Sequence, residues 1–176
     1  MRRVAAAVSL IALCVCAKAR VAGGQHHARS TLTFELAATA DSVFPLFGPT
    51  REAEWATGWK PTFVFPNDGS QRGEGAVFTT AAGHDGQRIA YWVMNEYDAS
   101  ARRIRYVRIV PEAIAIQLDI IVTPVGEAAA RVDATYTYTA LGEQGNSAVD
   151  DFAQNAPLVQ RHWEAALTQL LARRNR

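Results

Sequence analysis

Leu32, Phe34 and Leu36 alternate with Thr31, Thr33 and Glu35, the period of a strand with one face in a core and the other in water. The same period returns six times between residues 62 and 140, each run closed by turn residues such as Asn67-Asp68-Gly69, Ala82-Gly83-His84-Asp85-Gly86, Asp98 and Pro111. The most regular run is 114–122. There Ile114, Ile116, Leu118, Ile120 and Val122 share one face, and Ala115, Gln117, Asp119 and Ile121 share the other. In 130–139, Val132, Ala134, Tyr136 and Tyr138 oppose Arg131, Asp133, Thr135, Thr137 and Thr139. Short connections between such strands favour an antiparallel meander. Between the first strand and this run lie two brief helical segments. Asp41, placed to accept from free amides, precedes Val43, Phe44, Leu46 and Phe47, and Gly48-Pro49 ends the segment; a second short helix covers 51–56. Residues 141–147, with Gly142, Gly145 and Asn146, read as a loop. The period then becomes helical: Phe152, Ala156, Val159, Trp163, Leu167 and Leu170 form one stripe reaching about Ala172, with Pro157 predicting a kink or a late start. That stripe has only the sheet to bury itself against. The predicted fold is α+β, a curved antiparallel sheet of about seven strands wrapped on a long C-terminal helix.

The N-terminus changes the picture of where this domain works. Arg2 and Arg3 precede an apolar run over 4–16, and Ala17-Lys18-Ala19 supplies a small-x-small site, the layout of a secretory signal peptide. The run is shorter than the roughly 20 residues of a spanning helix, so no permanent membrane anchor is expected. Three segments follow: a signal peptide over 1–19, a flexible extension over 20–30 that includes His26-His27, and one domain over 31–173. Cleavage removes Cys14 and Cys16, the only cysteines, and with them any disulfide or thiolate chemistry. It also removes Arg2, Arg3 and Lys18, turning the formal charge of +1 into −2. A balance so close to neutral, without a basic run, argues against nucleic acid as a partner. An exported protein, periplasmic or extracellular, is expected.

The order strand, two short helices, six strands, long helix resembles the helix-grip fold of the START-like (SRPBCC, Bet v 1-like) superfamily. Local wording carries the resemblance further. Val43-Phe44-Pro45-Leu46-Phe47-Gly48-Pro49, Glu54-Trp55-Ala56-Thr57-Gly58-Trp59-Lys60-Pro61 and Tyr136-Thr137-Tyr138-Thr139-Ala140-Leu141 are similar to a bacterial, polyketide cyclase/dehydrase-like subgroup. The likeness implies an apolar or amphipathic small molecule or lipid held between sheet and helix, with the loop Gly73-Glu74-Gly75 near the cavity mouth. A fold shared by carriers, cyclases and regulators does not by itself fix a reaction.

Candidate cavity residues follow from type and parity. Trp55 and Trp59 suit a pocket or a plain core. Tyr106 and Arg108 share parity with Ile104 and Val110, so an inward face brings a guanidinium with it, for which a ligand carboxylate would be a partner; the alternative, which the long side chain favours, is that Arg108 lies near the strand end and reaches solvent. Tyr91, Tyr136 and Tyr138 offer hydroxyls to the same space, and Trp163 lies on the helix stripe. His84 and His162 read as solvent-facing. The histidines show no metal-ligand spacing, the carboxylates are scattered, and no cofactor or metal is expected. Gly73-Glu74-Gly75 precedes a strand and not a helix, so it reads as a turn and not as a phosphate loop. Three functions stand in order: an exported binding protein for a hydrophobic molecule; a cavity enzyme of the cyclase, dehydratase or hydrolase type using Tyr106, Tyr136 or Arg108; and an envelope protein-interaction module.

Overall fold

The computed structural model describes residues 24–67, 73–82 and 86–174. Seven strands, β1 (His27–Leu36), β2 (Thr62–Phe65), β3 (Val77–Ala82), β4 (Arg88–Asp98), β5 (Arg103–Val110), β6 (Ile114–Val125) and β7 (Ala129–Ala140), form one antiparallel sheet in the order β1-β7-β6-β5-β4-β3-β2. The short helix α1 (Ala40–Val43) runs into a 3-10 turn, Phe44–Phe47, and a second 3-10 turn covers Glu52–Glu54. Helix α2 (Glu143–Arg174) closes the chain. This is the expected α+β helix-grip arrangement. The core consists of inward strand residues such as Leu32, Phe78, Met94, Ile104, Ile116, Ile120 and Val132, sealed by Leu46, Phe47 and Leu167.

Three boundaries differ from expectation. The first strand begins at His27, so residues 27–30 of the expected flexible extension are paired with β7, His27 opposite Thr139. His26 is docked too, its backbone N–H on Asn146 Oδ1 and its Nδ1 2.8 Å from Asp150 Oδ1. The cap of α1 is Thr39, whose hydroxyl accepts from Ser42 N–H, whereas Asp41 pairs with Arg102 at 2.7 Å. The largest difference is in α2. It starts at Glu143 and runs without a break through Pro157, taking in most of the segment expected as a loop. Gly145 misleads because a glycine usually ends a helix, while here it admits a close approach. A Cβ at this position would lie 1.9 Å from the Ala113 carbonyl oxygen. Its apparent helix-breaking signal is a packing signal.

The signal-peptide segment and His84 fall outside the described residues. Gly73-Glu74-Gly75 is a turn before β3, as expected, with Gly75 at φ +83° and its N–H on Met94 O. Among the described residues no helix is long and apolar enough to cross a membrane, and no cluster of histidine, cysteine, aspartate and glutamate has metal-binding geometry.

Candidate functional site

Two rows of cross-strand neighbours run over the inner face of the sheet. In one, Phe78 lies opposite Trp92, Trp92 opposite Arg108, Arg108 opposite Ile116 and Ile116 opposite Tyr138. In the next, Met94, Tyr106, Leu118 and Tyr136 follow in the same way. Strand parity therefore brings one arginine and three tyrosines into the space under α2, as the sequence pattern implies.

A cavity of about 730 Å³ opens at the end of this space, between the N-terminal half of α2 and the β5–β6 turn. Arg108, Tyr138, Phe152, Val110 and Ile114 form its walls, with Gln144, Asp151 and Asn155 of α2 opposite. The size falls in the range of ordinary small-molecule pockets. The opening lies at the Arg88 end of β4, whereas the Gly73–Gly75 turn, expected at the mouth, bonds to Met94 toward the other end.

Arg108 is the unusual wall residue. Its guanidinium carbon sits 5.3 Å from the Trp92 ring centre. Among the described residues its Nε is the only side-chain polar atom both sealed from solvent and without a hydrogen-bond partner. None of the ion pairs among these residues involves it. Burial lowers its proton affinity, and the nearby Tyr138 and Tyr136 act in the opposite direction. Arginine nonetheless stays charged at any ordinary pH. The other strand arginines, Arg103 and Arg105, project to the outer face and are held by Asp119 and Glu96.

The remaining expected site residues separate into groups. Tyr138 stacks on Phe152 at 4.0 Å on the cavity wall. Trp55, Trp163 and Phe47 contact one another edge-on or tilted, and Trp163 touches Tyr136, so these rings form an interlocked cluster deeper than the 730 Å³ cavity. Trp55 donates to Leu46 O at 2.8 Å and Trp59 to Pro49 O at 2.6 Å. Trp59 packs on Phe78 and Trp92 and not beside Trp55, because the second 3-10 turn ends before it. Tyr106 donates to Phe47 O at 2.8 Å, so its hydroxyl is committed to holding the first 3-10 turn. Tyr91 does not belong with the others. It lies on the outer face opposite Ile109 and is 46% exposed, since the inward parity of β4 falls on Ala90, Trp92 and Met94. His162 is exposed on α2, as expected.

One titratable residue was not singled out by the sequence pattern. In a 3-10 turn, side chains three apart eclipse, so Glu52 follows buried Trp55 toward the interior while Glu54 turns outward to Arg51 and Arg174. The Glu52 residue as a whole keeps some accessible surface. Its carboxyl end is enclosed by protein, and this burial raises its pKa from 4.5 to about 8. Its charge reaches Tyr106 and Tyr136. Burial raises both phenols well above their ordinary value, and Glu52 adds to the effect. The sequence-level signal is a carboxylate three residues before a core tryptophan. It carries weight only once the turn is known to face the tyrosines.

No protein-family model matches the chain, and no curated protein matches its sequence. Solved structures do match. Norcoclaurine synthase from Thalictrum flavum, in complex with dopamine and hydroxybenzaldehyde, superposes with a TM-score of 0.62 at 15% identity over 85% of this chain and 88% of that one. Ara h 8.0201 matches with a TM-score of 0.59 at 13% identity, over 85% of this chain and 99% of its own. The protein XoxI from Bacillus cereus gives 0.57 at 18%, over 80% and 96%. At these identities the likeness establishes the helix-grip, Bet v 1-like fold and leaves chemistry to the residues.

Proposed function

We propose that this chain is an exported binding protein for a hydrophobic or amphipathic small molecule, held between sheet and α2 with a carboxylate end against Arg108. The observation that carries the reading is the state of Arg108. A guanidinium in an apolar wall, with one nitrogen sealed and unpartnered and no ion pair, is a liability for the apo fold. A ligand carboxylate would convert that liability into a charge-assisted contact. Tyr138, Phe152, Val110 and Ile114 suit the apolar remainder of such a molecule. Covering about 300 Å² of apolar ligand surface contributes roughly 7 kcal/mol before the cost of association.

The fold supports the reading because norcoclaurine synthase, which shares it, is recorded with small aromatic molecules bound. The N-terminal pattern of Arg2-Arg3, the apolar run over 4–16 and Ala17-Lys18-Ala19 supports export.

The test compares cis-parinaric acid with its methyl ester by fluorescence in wild type and Arg108→Met. The acid should bind wild type at least tenfold more tightly than the ester, and R108M should erase that preference. Equal affinities of acid and ester in wild type would sink the Arg108 anchor. Native mass spectrometry of the protein from its own envelope then identifies the ligand class.

A further inference from the structure

We propose that the ligand is an elongated acid of more than about ten carbons, whose apolar end leaves the cavity through a slit between β4 and β5 and lies on the outer face of the sheet against Ile89, Tyr91 and Pro111. The inference rests on the reading that Arg108 holds a carboxylate inside, and adds to it the class of molecule and a second subsite.

The slit comes from the sheet itself. β4 begins at Arg88 and β5 ends at Val110, yet their ladder stops at Tyr91 opposite Ile109. Past that pair Ala90, Ile89 and Arg88 pair with β3, Val110 pairs with Ile114 of β6, and among the described residues no strand pairing joins the two sides. Gln144 of α2 stands at the same end, its side-chain amide donating to Glu112 O of the β5–β6 turn at 2.8 Å. Arg88, Val110 and Gln144 wall the 730 Å³ cavity and also a second one of about 390 Å³, so the two meet at these three side chains. The second cavity reaches the outer face along Ile89, Tyr91 and Pro111. Ile89 is 52% and Tyr91 46% exposed, two large apolar side chains left to water beside an opening that leads to the interior.

A molecule anchored at Arg108 extends toward that opening. On the deep side the interior is filled by the interlocked rings of Phe47, Trp55, Tyr136 and Trp163. Trp92 lies opposite Arg108, and the run along β4 from Trp92 to Arg88 covers about 13 Å at the rise of a strand. A zigzag of ~1.5 Å bonds at near-tetrahedral angles advances about 1.25 Å per bond, so about ten carbons carry a straight chain from the guanidinium to the slit. Each carbon after that either folds back into the cavity or passes between Arg88 and Val110 onto Ile89 and Tyr91. The outer path keeps the chain extended and covers apolar surface that the fold alone leaves wet.

The experiment measures displacement of cis-parinaric acid by straight-chain saturated acids of even length from decanoate to hexadecanoate, below their micelle-forming concentrations, in wild type, Ile89→Asn and Tyr91→Ser. The parinaric acid affinity is determined separately for each protein. Both substitutions are uncharged and fall on exposed positions, so neither alters the carboxylate contact or the core. Wild type should bind hexadecanoate at least about twentyfold more tightly than decanoate, against a ceiling of about fourfold per fully buried methylene. Each variant should cut that ratio at least about fivefold while decanoate affinity stays within about twofold of wild type, which also shows that the cavity is intact. A flat chain-length series in wild type, or an unchanged ratio in both variants, overturns the outer subsite while decanoate binding leaves the Arg108 anchor standing. Sedimentation of the ligand-free protein tests the other occupant of this face: a dimer that Ile89→Asn dissociates, with the chain-length ratio unchanged, assigns Ile89 and Tyr91 to a second copy and overturns the subsite. Failure of folded wild type to bind any of the acids overturns the subsite and the binding reading together.

Discussion

Replacing Glu52 by glutamine should make the protein more stable, and increasingly so as pH rises. In the folded state burial lifts the Glu52 pKa to about 8, while in the unfolded chain it returns to 4.5. A raised carboxyl favours the protonated form of the fold. Its contribution is therefore fully present below pH 4.5, is lost as pH rises from there to about 8, and stays lost beyond. With about 1.4 kcal/mol per pH unit, wild type loses about 3 kcal/mol by pH 7 and at most about 5 kcal/mol above pH 8 through this one group. Water admitted to the site reduces both values. Glutamine has the same shape and no proton to lose, so the difference in unfolding free energy between E52Q and wild type isolates the effect, every other titration cancelling. Urea unfolding between pH 4.5 and 9, followed by tryptophan fluorescence, reads it directly, because Trp55 packs next to the turn that carries Glu52. A difference flat to within about 0.5 kcal/mol over that range would refute the reasoning, since it would mean that the Glu52 carboxyl is solvated in the fold.

Three further substitutions test the packing of the site. Arg108→Met should leave the fold as stable or up to about 2 kcal/mol more stable in urea titrations, because it removes a partly buried charge that has no ion pair and only the Trp92 ring beside it; a loss above about 2 kcal/mol would show that the charge is held by more than that ring. Gly145→Ala should destabilise by about 3 kcal/mol despite a helix-propensity gain of about 1 kcal/mol. Its Cβ must push α2 away from the Ala113 carbonyl, and a crystal structure would show that shift as a wider cavity. Tyr106→Phe should cost about 1–2 kcal/mol in thermal or urea unfolding by leaving the buried Phe47 carbonyl without its donor.

The strands were legible from sequence because burial on one face of a sheet writes itself onto every second residue. Ile114 to Val122, and Val132 to Tyr138, each carry that record within a few positions. The same alternation brought Arg108 and Tyr136 inward, and it failed for Tyr91 because the inward parity of β4 is held by Ala90, Trp92 and Met94. Local pattern loses its force where a residue's meaning depends on a distant neighbour. Gly145 reads as a helix breaker until Ala113 is placed against it. Glu52 reads as one more surface carboxylate on a short polar turn until the fold encloses its carboxyl end. Such residues share a physical mark: each runs against the preference of its own segment, a glycine within a helix or an acid facing a core. Natural sequences are mostly consistent between local preference and global fold, so a conflict of this kind locates either a close contact or a working group. Gly145 is the first, relieved by the contact it makes. Glu52 has no ion pair among the described residues and Arg108 only the Trp92 ring, and since Arg108 alone of the two lines the cavity, the ligand contact is proposed for it and not for the better packed tryptophans.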